Sequence, residues 1–89
     1  MNAKRLTIAG RVQGVGYRDW MVEKARVLGV SGWVRNCPDG RVEALIAGDQ
    51  AAVEEIARLC RRGPRLAEVS SISEELAEPP EEAGFYQLG

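Results

Sequence analysis

The apolar residues of this chain change their spacing in a fixed order, and that order restricts the fold more than any single residue does. Residues 5–12 alternate, with Leu6, Ile8 and Val12 on one face and Thr7 on the other, which predicts a strand ending near Ala9 or Gly10. From 17 or 18 to 28 the period becomes helical, with Tyr17, Met21, Ala25 and Leu28 on one stripe and Gly29 as the stop. Residues 31–37 alternate again, sending Trp33 and Arg35 one way and Val34 and Asn36 the other. Pro38-Asp39-Gly40 is a strong turn signal, so 41–47 is expected to return as a hairpin strand with Val42, Ala44 and Ile46 on one face. Gly48 ends that strand, and Asp49 suits the N-cap of a second helix over 50–62. Its buried stripe would be Val53, Ile56, Ala57 and Cys60, its last turn is basic, and Gly63-Pro64 stops it. Residues 66–76 read as a strand in which Val69 and Ile72 break the two-residue register, so a bulge or a late start is expected. The Glu78-Pro79-Pro80-Glu81-Glu82 segment is a loop by composition, and 84–88 a short tail strand.

Strand-helix-strand-strand-helix-strand is the split βαβ pattern, a ferredoxin-like α+β sandwich with two helices on one face of an antiparallel sheet. The tail strand is an addition to it. With 89 residues the chain supports one two-layer core, so a single domain over 1–89 is expected. No apolar run approaches the ~20 residues of a membrane span, and the apolar stretch after Lys4 and Arg5 is broken too early for a signal peptide. A cytoplasmic protein without membrane contact is the expectation. A formal net charge of −1 argues against a general nucleic-acid binder, which needs a basic excess to meet phosphates. Cys37 and Cys60 are too few for a disulfide framework, though a single bridge is compatible with the sequence. The absence of histidine removes a histidine base and the usual zinc ligand sets.

Chemistry concentrates at the first strand-to-helix corner, Gly10-Arg11-Val12-Gln13-Gly14-Val15-Gly16-Tyr17-Arg18. Gly14 and Gly16 carry no Cβ and tolerate positive φ, so successive N–H groups can turn toward one point. The helix start adds its unpaired amides and the positive end of its dipole. Arg18 can lay its guanidinium against the same point, and the corner therefore suits a phosphoryl group. Taken alone, Gly14-x-Gly16 is explained more simply as a tight turn. Asp19 stands where a dinucleotide fingerprint needs its third glycine, and no Walker pattern exists. Neither cysteine is followed six positions later by arginine, since Cys37 meets Glu43 and Cys60 meets Leu66. No Asp-x-Asp pair offers an aspartyl-phosphate route, and no metal site suggests itself. Among the remaining polar residues Asn36 stands out, closing a strand on the face of Val34, where a turn-initiating role is the simpler account.

Taken together, Gly10 to Arg18, Ala25, Leu28-Gly29-Val30, Gly32-Trp33-Val34-Arg35-Asn36 and Asp39-Gly40-x-Val42-Glu43 resemble the acylphosphatase family. The resemblance runs from the first strand to Gly84-Phe85 and is strongest between Gly10 and Gly48. It implies a hydrolase of acyl phosphates with catalytic residues Arg18 and Asn36. A phosphate cradle is implied at the backbone of Gln13, Gly14, Val15, Gly16 and Tyr17, joined by Arg18. It also implies a water held by Asn36, no covalent intermediate, and neither metal nor cofactor. The departures are Tyr17, where phenylalanine is commoner, and Asp19, which sets a negative charge beside the arginine. Related domains occur inside larger hydrogenase-maturation proteins, whereas this chain has the length of the free enzyme, expected as a monomer acting on a small molecule. A non-catalytic ligand-binding or regulatory module on the same fold is the rival reading. An RNA-binding sheet ranks last, because residues 41–47 carry no aromatic for base stacking.

Overall fold

The computed structural model describes residues 2–88. In chain order its elements are β1 (Asn2–Arg11), α1 (Tyr17–Leu28), β2 (Ser31–Asn36), β3 (Val42–Gly48), α2 (Gln50–Cys60), β4 (Glu68–Leu76) and β5 (Phe85–Leu88). The sheet order is β4-β1-β3-β2-β5. The two βαβ units therefore interleave: β3 lies between β1 and β2, and β1 lies between β3 and β4. All pairs among β1 to β4 are antiparallel, as the alternation implies. The tail strand β5 instead runs parallel to β2, so the sheet as a whole is mixed.

The hydrophobic pattern accounts for the layers. Leu6, Ile8, Val34, Val42, Ala44 and Ile46 point to one side of the sheet and are fully buried, together with Phe85 from β5. Against them pack Tyr17, Met21 and Ala25 of α1 and Val53, Ile56, Ala57 and Cys60 of α2. Each large aliphatic side chain removed from water in this way stabilises the fold by about 1.5–3 kcal/mol. Gly29 ends α1 at φ 72°, and the next two N–H groups return to the carbonyls of the last turn: Gly29 to Arg26 and Val30 to Ala25.

Strand β1 spans Asn2–Arg11 where 5 to 9 or 10 was expected, whereas the N-cap position of Asp49 and the late start and bulge of the strand after α2 are found as expected. Helix α2 stops at Cys60 rather than 62, because the N–H groups of Arg61, Arg62 and Gly63 tighten onto Arg58 and Leu59 carbonyls. Asp49 occupies the N-cap position, but its side chain makes no capping hydrogen bond. Strand β4 starts at Glu68, and its pairing with β1 slips where Ala9 faces Ser71 while Gly10 faces Val69. Ser70 is thus the extra residue of a bulge, which brings Val69 and Ile72 onto the same core despite their spacing of three. Gly10 permits this close passage: a Cβ there would lie 2.2 Å from the Glu68 carbonyl oxygen.

Candidate active site

The corner between β1 and α1 and the end of β2 meet at one cleft. Its walls are Val12, Gly14, Gly16, Tyr17, Arg18, Asp19, Asn36 and Gln87, enclosing about 110 Å³. Arg18 and Asn36, 18 positions apart in the chain, share it because β1 and β2 flank β3 and both end at this side of the sheet.

Local conformation follows from the glycines. Gly14 and Gly16 sit at φ 74° and 78°, in the left-handed region, and nothing lies within 4 Å of where a Cβ would project from either. Gly16 is the N-cap of α1 and supplies no side-chain cap, while its carbonyl already accepts from the Trp20 N–H at 3.0 Å. The first amides of α1 consequently carry no side-chain partner at the cap, and the dipole's positive end faces the cleft.

Below the corner, Tyr17 anchors the helix start. Its ring meets Trp20 edge-on with centroids 5.4 Å apart, and its hydroxyl donates to the Cys60 carbonyl at 2.6 Å. Burial holds the Tyr17 hydroxyl protonated far above its ordinary range, and burial likewise pushes the Cys60 thiol up to about 12. Both cysteines are free thiols.

Gln13 does more than offer a backbone amide. Its Nε2 donates to the carbonyls of Cys37 at 2.8 Å and Arg41 at 2.9 Å, fastening the loop to the β2–β3 hairpin. The hairpin itself is closed by the Cys37 N–H on the Arg41 carbonyl at 2.8 Å and by the Arg41 N–H on Asp39 Oδ1 at 3.0 Å. Asn36, the last residue of β2, pairs with Val42 and shares the helix-facing side of the sheet with Val34. Its Oδ1 is buried and has no hydrogen-bond partner, alone among the buried side-chain nitrogens and oxygens of the described residues. A buried acceptor without a donor costs about 1–3 kcal/mol, so this one is placed for a partner that the chain itself does not supply.

Of the residues singled out from sequence, Gly14, Gly16, Tyr17, Arg18 and Asn36 converge on the cleft. Gln13 and Val15 stand outside its walls: Gln13 braces the hairpin, and Val15 packs on the core. Asp19 lies on the wall, where its Oδ1 accepts from Gln87 Nε2. Gln87 itself escaped the sequence reading. One signal for it existed, because on β5 it alternates with buried Phe85 and so points a polar group to the inward face. Among the described residues no group of three or more histidine, cysteine, aspartate or glutamate side chains is placed to hold a metal ion. Among the same residues no helix is long and apolar enough to cross a membrane.

Comparison with known proteins agrees with this geometry. Residues 4–86 match the sequence model of the acylphosphatase family. The chain is 64% identical over 87 residues to the acylphosphatase of Acidiphilium cryptum, an alignment covering 98% of this chain and 96% of that one. It superposes on the crystal structure of acylphosphatase from Bacillus subtilis with a TM-score of 0.94, at 32% identity and with both chains covered completely. Against an acylphosphatase from Coxiella burnetii the TM-score is 0.93 at 29% identity, covering 98% of this chain and 92% of the other. The chain belongs to the acylphosphatase family and is an enzyme that hydrolyses acyl phosphates.

Proposed function

We propose that the cleft cleaves the carboxyl–phosphate bond in one step, by in-line attack of a water held by Asn36 on a phosphoryl group held by Arg18 and the amides of residues 13–17. The observation that carries this reading is that Asn36, whose buried Oδ1 has no hydrogen-bond partner in the chain, lines the same cleft as Arg18, Gly14 and Gly16. That oxygen accepts one hydrogen of the attacking water and orients its lone pair toward phosphorus. As the new P–O bond forms, the bond to the acyl oxygen breaks and its electron pair leaves as carboxylate. The conjugate acid of that leaving group has a pKa of about 4, so departure needs no general acid. The water's proton passes to a non-bridging phosphoryl oxygen, which gives carboxylate and inorganic phosphate without a phosphoenzyme.

Negative charge in such a loose transition state rests on the equatorial oxygens. Fixed donors aimed at them are the effective catalysts, and a guanidinium adds charge-assisted bonds. The walls offer a single carboxylate, Asp19, and no imidazole or thiol, a poor donor set for a divalent cation. Arg18 and the loop amides take the neutralising role instead. Every residue in this scheme belongs to one chain, so the reading needs no second copy to complete the site, and a small molecule is its substrate.

The test is hydrolysis of benzoyl phosphate with inorganic phosphate as competitive inhibitor. Asn36→Ala should lower kcat by about 10²–10³ while phosphate inhibition persists. Arg18→Ala should lose phosphate affinity together with rate. An unchanged kcat in Asn36→Ala would remove the carboxamide from the mechanism, and undiminished phosphate inhibition in Arg18→Ala would remove the cradle. Simple phosphate monoesters should be poor substrates, because their alkoxide leaving groups need an acid that the cleft lacks.

A further inference from the structure

Half of the arginines form an ion pair among the described residues, and Arg18, which lines the cleft, belongs to the half that does not. Arg35 pairs with Glu43 at 2.6 Å, Arg58 with Glu55 at 2.7 Å and Arg61 with Glu74 at 2.8 Å. Arg18, by contrast, has no carboxylate within 4.0 Å among the described residues, although Asp19 is its chain neighbour and lines the same cleft. Consecutive helical side chains diverge, and a carboxylate that nevertheless turned toward the guanidinium would compete with a bound phosphoryl group.

Asp19 has a structural reason to be there. It is the acidic residue in the first turn of α1, a helix whose N-cap glycine offers no side-chain cap, and a negative charge there is favourable to the dipole. The benefit to the helix conflicts with the site, where the same charge repels a dianion. Gln87 stands beside that carboxylate. Strand β5 runs parallel to β2 with Gln87 opposite Val34, two residues before Asn36, which brings its amide to the cleft wall. There Nε2 donates to Asp19 Oδ1.

We infer that Gln87 is a positioning residue: its amide holds the Asp19 carboxylate on the β5 side of the cleft and so leaves Arg18 free for the phosphoryl group. Gln87 acts through Asp19 and touches no reacting atom. Without it, Asp19 swings toward Arg18, weakens anion binding and leaves Asn36 untouched, so the loss falls on phosphate affinity and KM rather than on kcat. Removing the charge as well abolishes the need for the tether. This inference rests on the cleft being the phosphoryl site.

The experiment measures KM and kcat for benzoyl phosphate, and Ki for inorganic phosphate, in the full chain and in Gln87→Ala, Asp19→Asn and the double variant, with thermal melts alongside. Gln87→Ala should raise KM and Ki about fivefold, the scale of a partly exposed ion pair. Asp19→Asn should bind phosphate at least as tightly as the parent, and the double variant should match Asp19→Asn. Equal impairment of Gln87→Ala and the double variant would make Gln87 a merely structural residue and overturn the inference. Weaker phosphate binding in Asp19→Asn would overturn it too, and that arm stands even if loss of Gln87 unfolds the tail strand. Failure of phosphate to compete in the parent would remove the phosphoryl site itself, an outcome distinct from either of these.

Discussion

Tyr17→Phe isolates a single hydrogen bond under the cleft. The hydroxyl and the Cys60 carbonyl are both buried, 2.6 Å apart, and join the start of α1 to the end of α2. Phenylalanine keeps the ring, its edge contact with Trp20 and the backbone amide at position 17, and loses only the donor. The neighbouring amides offer no substitute, since Arg62 and Gly63 both donate to the Leu59 carbonyl, at 3.1 and 2.9 Å. A buried carbonyl left without a partner costs about 1–3 kcal/mol. In a domain of this size each kcal/mol lowers Tm by about 4–8 °C. The expected loss is therefore about 2 kcal/mol, or about 8–16 °C. Urea titrations followed by the fluorescence of Trp20 and Trp33 measure it, provided the m-value is unchanged. The folded variant should retain kcat near that of the parent, because no reacting atom contacts the hydroxyl. A stability change below about 0.5 kcal/mol would refute the reasoning, since that is the scale of an ordinary surface substitution. So would a collapse of kcat at unchanged stability, which would place the hydroxyl in the chemistry.

The glycines give a paired prediction. A Cβ at Gly32 would stand 1.8 Å from the Leu45 carbonyl oxygen, so Gly32→Ala should separate β2 from β3 and cost more than about 3 kcal/mol by urea titration. Gly16→Ala meets nothing within 4 Å and should cost only the left-handed backbone penalty of about 1–2 kcal/mol, with a loss of phosphate affinity as the loop relaxes. Cys60, raised from 9.0 to about 12 when folded, ties stability to alkaline pH. Its contribution is intact below 9.0 and declines as pH rises toward about 12, because the unfolded thiol ionises there and the folded one does not; pH-resolved melts of the parent against Cys60→Ala measure the difference. The same burial should leave Cys60 unlabelled by thiol reagents at pH 8 until urea is added. A chelator should leave benzoyl phosphate hydrolysis intact, and inhibition reversed by added divalent cation would disprove the metal-free scheme.

Much of this architecture can be read from the residue order, and the exceptions share a physical cause. Buried stripes such as Val53, Ile56, Ala57 and Cys60 are legible because burial of apolar surface is local, additive and periodic. Gly29 and the Pro38-Asp39-Gly40 turn are legible because their backbone demands are intrinsic to those residue types. The bulge at Ser70 was visible only as a broken rhythm at Val69 and Ile72, since its placement depends on the Ala9–Gly10 partner across the ladder. The direction of β5 left no trace in a four-residue strand, because parallel and antiparallel edges accept the same alternation. At the site, Arg18 and Asn36 were legible through a family pattern, and their convergence required the interleaved strand order. Gln87 and the brace made by Gln13 are contacts between segments distant in sequence, and pairwise contacts of that kind have no periodic signature.

The attachment of Gln13 carries a mechanical consequence. Its amide grips the backbone on both sides of the turn that follows Asn36, at Cys37 and at Arg41. The loop that carries Gln13 and the turn after Asn36 are thereby joined side chain to backbone, across 24 and 28 positions of sequence. These two hydrogen bonds add a direct strap to the β1–β3–β2 ladder that already joins the segments, and under the proposed scheme the spacing between loop amides and carboxamide is fixed twice over.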